Sequence, residues 1–299
     1  MQLNKSDAKK IFSVVLSLVL SLLCTVNIAM LTVKTTVASS AYMKNKVQAS
    51  NFSQIAKTEL EEKYTSYGSA SGFTIGAFAD ILDDKKIEED ICKNIDKIYI
   101  PDTAVVSYDT VKQNVNNMLI SDVQSRNISI TPDIKTGVTA LAGICAQDYI
   151  DTVSLPFVSY ITVIINAIQS KLNFISIVFL VACIFTALFI LAINRKSHRI
   201  FRYYAYSFGA TFLLTAIVPC IMLFTDKMAY ISVRPISLNR FTVEYLNGIF
   251  RVMLNYSLVC LFIYVACVVA YYIFRRKNSK SAKKAQNAKN NNIVKHDAY

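Results

Sequence analysis

The sequence has no tryptophan, two histidines, seven glycines and five prolines in 299 residues, and only 17% of its residues are charged. So few chain breakers exclude collagen-like and linker-dominated architectures and leave room for long uninterrupted helices. Sparse charge beside 54% hydrophobic residues excludes disorder and points to a membrane protein. No Cys-x-x-Cys occurs, and His198 and His296 both lie outside the largest polar segment. That argues against a zinc centre, and against Ser-His or Cys-His catalysis in that segment. Neither Gly-x-x-x-x-Gly-Lys nor Gly-x-Gly-x-x-Gly is present, so the common phosphate cradles are missing too.

What is there is apolar length. A bilayer core about 30 Å thick needs roughly 20 apolar residues in a helix. Four segments meet that need: 12–33, 174–193, 203–224 and 250–274. The first two carry no charge, the third contains Pro219, and the last has Arg251 in its first turn. The first could be a cleaved signal ending near Val37-Ala38-Ser39, but its apolar stretch is about twice a signal core, so an uncleaved span is expected. The sequence predicts an all-α integral membrane protein with four transmembrane helices. A helical extracytoplasmic domain, residues 34–171, is inserted between the first and second.

Lysine and arginine set the orientation. Residues 1–11, the connection 194–202 and the tail 275–299 carry net charges of +2, +4 and +7, whereas 34–171 carries −3 and the loop 225–249 is nearly neutral. Both termini are therefore expected in the cytoplasm. The high pI then reflects topology and not nucleic acid, which is not expected as a partner. Arg195, Lys196, Arg199, Arg202, Arg275, Arg276 and Lys277 are the expected contacts to anionic lipid. The tail, mostly Lys, Ser, Ala and Asn, reads as disordered.

No ionisable residue sits at mid-depth in a span, which disfavours a proton-coupled carrier or a charged-substrate pump. Along the first span Ser13, Ser17, Ser21, Thr25 and Ala29 recur every four residues. Such small-residue stripes let helices approach closely, and this one is expected to be a helix-contact face within the bundle or toward a second copy. Ser207, Thr211 and Thr215 in the third span, and Ala266 and Ala270 in the fourth, are the expected receiving surfaces. Tyr203-Tyr204, Tyr206 and Tyr271-Tyr272 read as interface anchors.

The large segment reads as helical. A first helix is expected to run on from span one, through Tyr42 to Tyr67, and end in Gly68-Ser69-Ala70-Ser71-Gly72. Ile87, Ile91, Ile95 and Ile98 mark another, and Ser107 caps a third with its stripe at Val111, Val115 and Met118. Thr131-Pro132-Asp133 opens a fourth, striped by Ile134, Val138, Leu141 and Cys145. Residues 153–168 are apolar and lead into span two, either on the membrane surface or in the core. The acidic stretches Glu59-Glu61-Glu62, Asp83-Asp84 and Glu88-Glu89-Asp90 read as solvated faces.

Five of seven cysteines lie in spans; Cys92 and Cys145 do not. A disulfide between these two is expected, closing a loop of about 53 residues and contributing roughly 4 kcal/mol on chain-entropy reasoning. Two buried thiols are the alternative. Tyr64, Tyr67, Tyr99 and Tyr108 are candidate contact residues, with core packing as their other reading.

The order of elements resembles claudin-like or tetraspanin-like four-span proteins in topology alone. It lacks their outer tryptophan or multiple-cysteine motifs, so no residue role carries over. It also resembles bacterial membrane sensors with a helical module between spans, without a histidine-kinase core. Lysine- and asparagine-rich usage is of the kind AT-rich bacterial genomes encode. The expectation is a non-enzymatic plasma-membrane protein without cofactor, whose outward module binds a protein, an envelope component or a small ligand. The alternative is an accessory subunit of a transporter or channel, or a small permease for an uncharged solute.

Overall fold

The computed structural model describes residues 5–296 apart from 101, 156–157, 195–196 and 226. These residues form helices and no strand: α1 (Lys5–Thr35), α2 (Ser40–Ala49), α3 (Phe52–Ser71), α4 (Asp84–Tyr99), α5 (Tyr108–Ser125), α6 (Pro132–Val153), α7 (Val158–Ile193), α8 (Ser197–Phe224) and α9 (Ile236–His296), with 3₁₀ turns at Ile75–Phe78 and Lys227–Tyr230. Four stretches are long and apolar enough to cross a membrane: Ala8–Thr35, Lys171–Ile193, His198–Phe224 and Ile236–Lys277. The chain forms two compact units. One holds the residues through Thr32, Asn173–Ile221 and the chain from Arg251; the other holds Val33–Leu172 and Met222–Phe250.

In the first unit, hydroxyl groups hold the helices together. Ser207 of α8 donates to the Ser17 carbonyl of α1 at 2.8 Å, and Thr211 to the Ser21 carbonyl at 3.2 Å. Ser257 of α9 reaches Thr215 of α8 at 2.8 Å, and Tyr204 donates to the Ala187 carbonyl of α7 at 2.8 Å. Ser207, Thr211 and Ser257 share the same hydroxyl proton with a carbonyl of their own helix, and Thr215 donates to the Thr211 carbonyl at 2.8 Å. Without water to compete, such contacts hold apolar helices in register. Leu18, Phe185 and Phe262 point outward, as residues facing lipid should.

The second unit has an ordinary apolar core. Ile87, Ile91, Ile95 and Ile98 on α4 are all fully buried, each removing an aliphatic side chain from water at a gain of about 1.5–3 kcal/mol. They meet Ala56, Leu60 and Tyr64 of α3, Val115 and Leu119 of α5, and Ala142, Cys145 and Tyr149 of α6. The helix starts follow local chemistry. Ser107 accepts the Thr110 amide and Thr131 accepts the Ile134 amide, with Pro132 at the first helical position. Gly72, at φ 78°, ends α3 in a left-handed conformation.

Three expectations are corrected. The helix expected from span one to Tyr67 is broken twice. Ser39 caps α2 by accepting the Tyr42 amide, and Asn51 at φ 53° turns the chain between α2 and α3, a conformation asparagine tolerates. The loop 225–249 is largely helix, because α9 begins at Ile236 and buries Ser237, Leu238 and Phe241 in this core. The tail expected to be disordered is helical as far as His296; no proline or glycine follows Gly248, and lysine, alanine and glutamine favour helix. For the segment 153–168, whose setting the sequence left open, Ile165 lies within the core.

Candidate functional site

In the second unit a cleft of about 470 Å³ lies between α4, the strap 103–107, the first turns of α5, and Tyr149 of α6. Its apolar surface includes Ile81, Val105, Val106 and Val111, and its polar groups include Lys86, Asp90, Lys93, Thr110, Asn114 and Tyr149. A helix carries three of these on one face: Lys86, Asp90 and Lys93 stand four and three residues apart on α4. Asp90 is 5% exposed, and both of its oxygens are engaged. Tyr149 donates to Oδ2 at 2.8 Å and Lys93 Nζ to Oδ1 at 3.0 Å. Burial, reinforced by the Asp90 charge, pushes the Tyr149 hydroxyl well above the usual tyrosine range, so it stays a donor. Among the described residues Lys86 has the Asp80 carbonyl alone, at 3.4 Å. A partly apolar recess with a few convergent polar groups is the usual form of a small-molecule site.

Two other recesses are poorer. One of about 290 Å³ is lined by Phe73, Val123, Ile128, Val138 and Leu141. Its one cation, Arg126, is spent on Asp122 at 2.6 Å and the Gly72 carbonyl at 2.6 Å. The other, of about 450 Å³, is a shallow acidic surface around Asp80 and Asp122. Among the described residues no three His, Cys, Asp or Glu side chains come together as metal ligands.

The small-residue stripe is brought together only in part. Ser13, Ser17 and Ser21 are buried, and the Ser13 hydroxyl accepts from Asn194 of α7 at 3.0 Å. Thr25 is half-buried and Ala29 is exposed, so Ala29 does not belong to the contact face. A period of four overshoots a helix turn of 3.6 residues by about 40° per step, and over four steps the stripe rotates off the interface. The buried face passes instead to Asn27, Ile28 and Thr32. Asn27 donates to Cys183 Sγ at 3.3 Å, beside a Cys24–Cys183 thiol contact of 3.9 Å. In α9, Ser257 and Cys260 take the contact expected of Ala266, which is exposed.

Cys92 and Cys145 are free thiols, not the expected disulfide. The two lie in different surroundings. Cys145 is fully buried in the α6 core face, where burial pushes its thiol up to about 12. Cys92 sits half-buried on the flank of α4 beside Lys44, Glu88 and Asp96, where burial is the main cause raising its pKa. The four tyrosines proposed as contacts are structural. Tyr64 donates to the Cys145 carbonyl at 2.6 Å, Tyr67 to Asp148 at 2.8 Å and Tyr99 to the Val37 carbonyl at 2.8 Å. Tyr108 reaches the Gly143 carbonyl at 3.4 Å.

The basic residues gather at one end of the first unit. The Ser13–Asn194 bond brings the start of α1 to the end of α7, and Phe201 stacks on Phe274 at 5.4 Å. Lys9, Lys10, Arg199, Arg202, Arg275, Arg276 and Lys277 follow from those contacts; Arg195 and Lys196 lie outside the described residues. Arg202 stacks on Tyr203, 5.0 Å from the ring centroid, and that ring is buried, so Tyr203 is a packing residue and not an interface anchor.

Sequence reasoning placed Asp90 and Glu59 on solvated faces. Asp90 lies within the isoleucine face of α4, one residue before Ile91 and three after Ile87, and that position was the available signal. Tyr149 continues the four-residue spacing Leu141, Cys145 and on to Val153. Glu59 caps α9 from α3: Oε1 accepts the Ile236 amide at 2.6 Å and the Ser237 amide at 3.3 Å, and Oε2 accepts the Ser237 hydroxyl at 2.6 Å. No local pattern announces that contact, because its partners lie 177 residues apart.

No protein-family model, curated protein or solved structure matches this chain. The functional reading therefore rests on the site itself.

Proposed function

We propose that this chain is a non-enzymatic, multi-pass protein of a bacterial plasma membrane, and that its second unit faces outward and binds a small ligand in the cleft between α4, α5 and α6. The cleft carries the reading: about 470 Å³, an apolar floor, and polar groups from three helices converging on it. Binding is favoured over catalysis because the one buried carboxylate is already occupied by Tyr149 and Lys93. Both termini are assigned to the cytoplasm by the basic residues clustered at one end of the first unit. The helical base serves as anchor, surrounded by lipid. Its hydroxyls bond backbone or one another, which supports packing over a wet conduction path.

The test uses the full-length protein in lipid nanodiscs, screened by ¹⁹F NMR against a mixture of fluorinated anionic, neutral and cationic fragments. Wild type is compared with Asn114→Trp, which places an indole in the cleft from an exposed position on α5. Fragments that bind wild type and are lost in the variant support the reading. Binding that is identical in both, or absent, overturns it. Impermeant thiol labelling in cells, in a background without native cysteines, tests the orientation: Ala140→Cys should react and Ser281→Cys should not.

A further inference from the structure

The charges in the cleft do not balance. Among the residues that line it are two ammoniums, Lys86 and Lys93, and one carboxylate, Asp90, already countered by its 3.0 Å contact with Lys93; Asp83, whose charge reaches Tyr149, is not part of the lining. Tyr149 takes its other oxygen. Lys86 is left over: among the described residues it makes no ion pair, and its single contact is a long one to a backbone carbonyl. An ammonium has three donors, so at least two remain available. The Ser107–Thr110 hydroxyl pair and the Asn114 amide line the same cleft and can add hydrogen bonds to an acceptor. The same lining includes Ile81, Val105, Val106 and Val111, whose side chains can receive only an apolar body.

Resting on the reading of this cleft as a ligand site, we infer that its ligand is a small amphiphilic anion. Its carboxylate or similar group pairs with Lys86, and its apolar part lies against the valines and Ile81. A cationic ligand is disfavoured, since it would have to compete with Lys93 for Asp90 while standing near a second ammonium. A wholly neutral ligand would leave the Lys86 ammonium without an anionic partner and forgo its charge-assisted hydrogen bond.

The probe is 3-(4-fluorophenyl)propanoate, compared with its primary amide and with the corresponding amine, each titrated by ¹⁹F NMR into the full-length protein in phosphatidylcholine nanodiscs. The acid is expected to bind wild type about tenfold tighter than the amide, the ratio a charge-assisted hydrogen bond provides. Lys86→Gln should erase that ratio, so that acid and amide bind the variant equally. Asn114→Trp should remove all three. Equal affinity of acid and amide, or a preference for the acid that survives Lys86→Gln, overturns the anion assignment. Tighter binding of the amine overturns it too, yet keeps the cleft as a ligand site. If no probe or fragment discriminates wild type from Asn114→Trp, the cleft reading fails, and this inference with it.

Discussion

The hydrogen bond from Tyr149 to Asp90 joins α6 to α4 inside the second unit, and Tyr149→Phe removes it with little change of shape. Tyr149 is fully buried and Asp90 is 5% exposed, so water entering through the cleft replaces the lost donor only in part. The bond is 2.8 Å long and goes to a carboxylate, a class whose net contribution is about 1.5–3 kcal/mol. Lys93 remains 3.0 Å from the other oxygen and keeps the charge countered, which places the expected loss at about 2 kcal/mol, in the lower part of that range. For a unit of this size that corresponds to a fall in Tm of about 4–8 °C. Thermal unfolding of the full-length protein in nanodiscs, followed by circular dichroism, measures it. The decisive comparison repeats the substitution in an Asp90→Ala background. There the hydroxyl has lost its acceptor, so replacing it should cost almost nothing, giving a coupling of about 1–2 kcal/mol. A loss below about 0.5 kcal/mol in wild type, or the same loss in both backgrounds, would refute the account of a buried charge held by this donor.

A Cβ added at Gly68 would lie 2.7 Å from the Phe73 carbonyl oxygen, so Gly68→Ala should lower Tm; at Gly137 nothing lies within 4 Å, and Gly137→Ala should raise stability by about 0.5–1 kcal/mol. Opposite signs are the prediction, and a matching sign defeats it. Ser17→Leu with Ser21→Leu should break the α1–α8 contact and lower the melting temperature in nanodiscs, whereas Ala29→Leu should leave it unchanged. If Ala29→Leu is the more harmful, the assigned face is wrong. Cys145 should resist iodoacetamide at pH 8 while Cys92 reacts, read by mass spectrometry of the folded protein. Burial raises the Cys145 pKa from 9.0 to about 12, so the stability gained by keeping it neutral is complete below pH 9 and drains away as the pH climbs toward 12. A Cys145→Ser variant should lose the part of that decline between pH 9 and 10, below the range where buried tyrosines such as Tyr64 and Tyr149 contribute, and an unchanged decline there would assign it to other groups.

Features that depend on near neighbours were legible along the chain. Apolar runs long enough to cross a bilayer are a local property, and so are the Ser107 and Thr131 caps and the isoleucine face of α4. Each was readable because a turn or a cap involves residues only three or four positions apart. The tertiary structure decided what depends on distant partners. It turned Asp90 from a surface acid into a buried one, because Tyr149 and Lys93 were there to receive it. It made Glu59 a cap for α9, and it drew Ser237, Leu238 and Phe241, from the stretch 225–249 read as a loop, into the core of the second unit. It separated Cys92 from Cys145, since one lies on the flank of α4 and the other beneath Tyr64. It also cut the small-residue stripe short, because a spacing of four agrees with a 3.6-residue helix for a few turns only. Burial is set by which surfaces meet, and no window along the chain contains both surfaces.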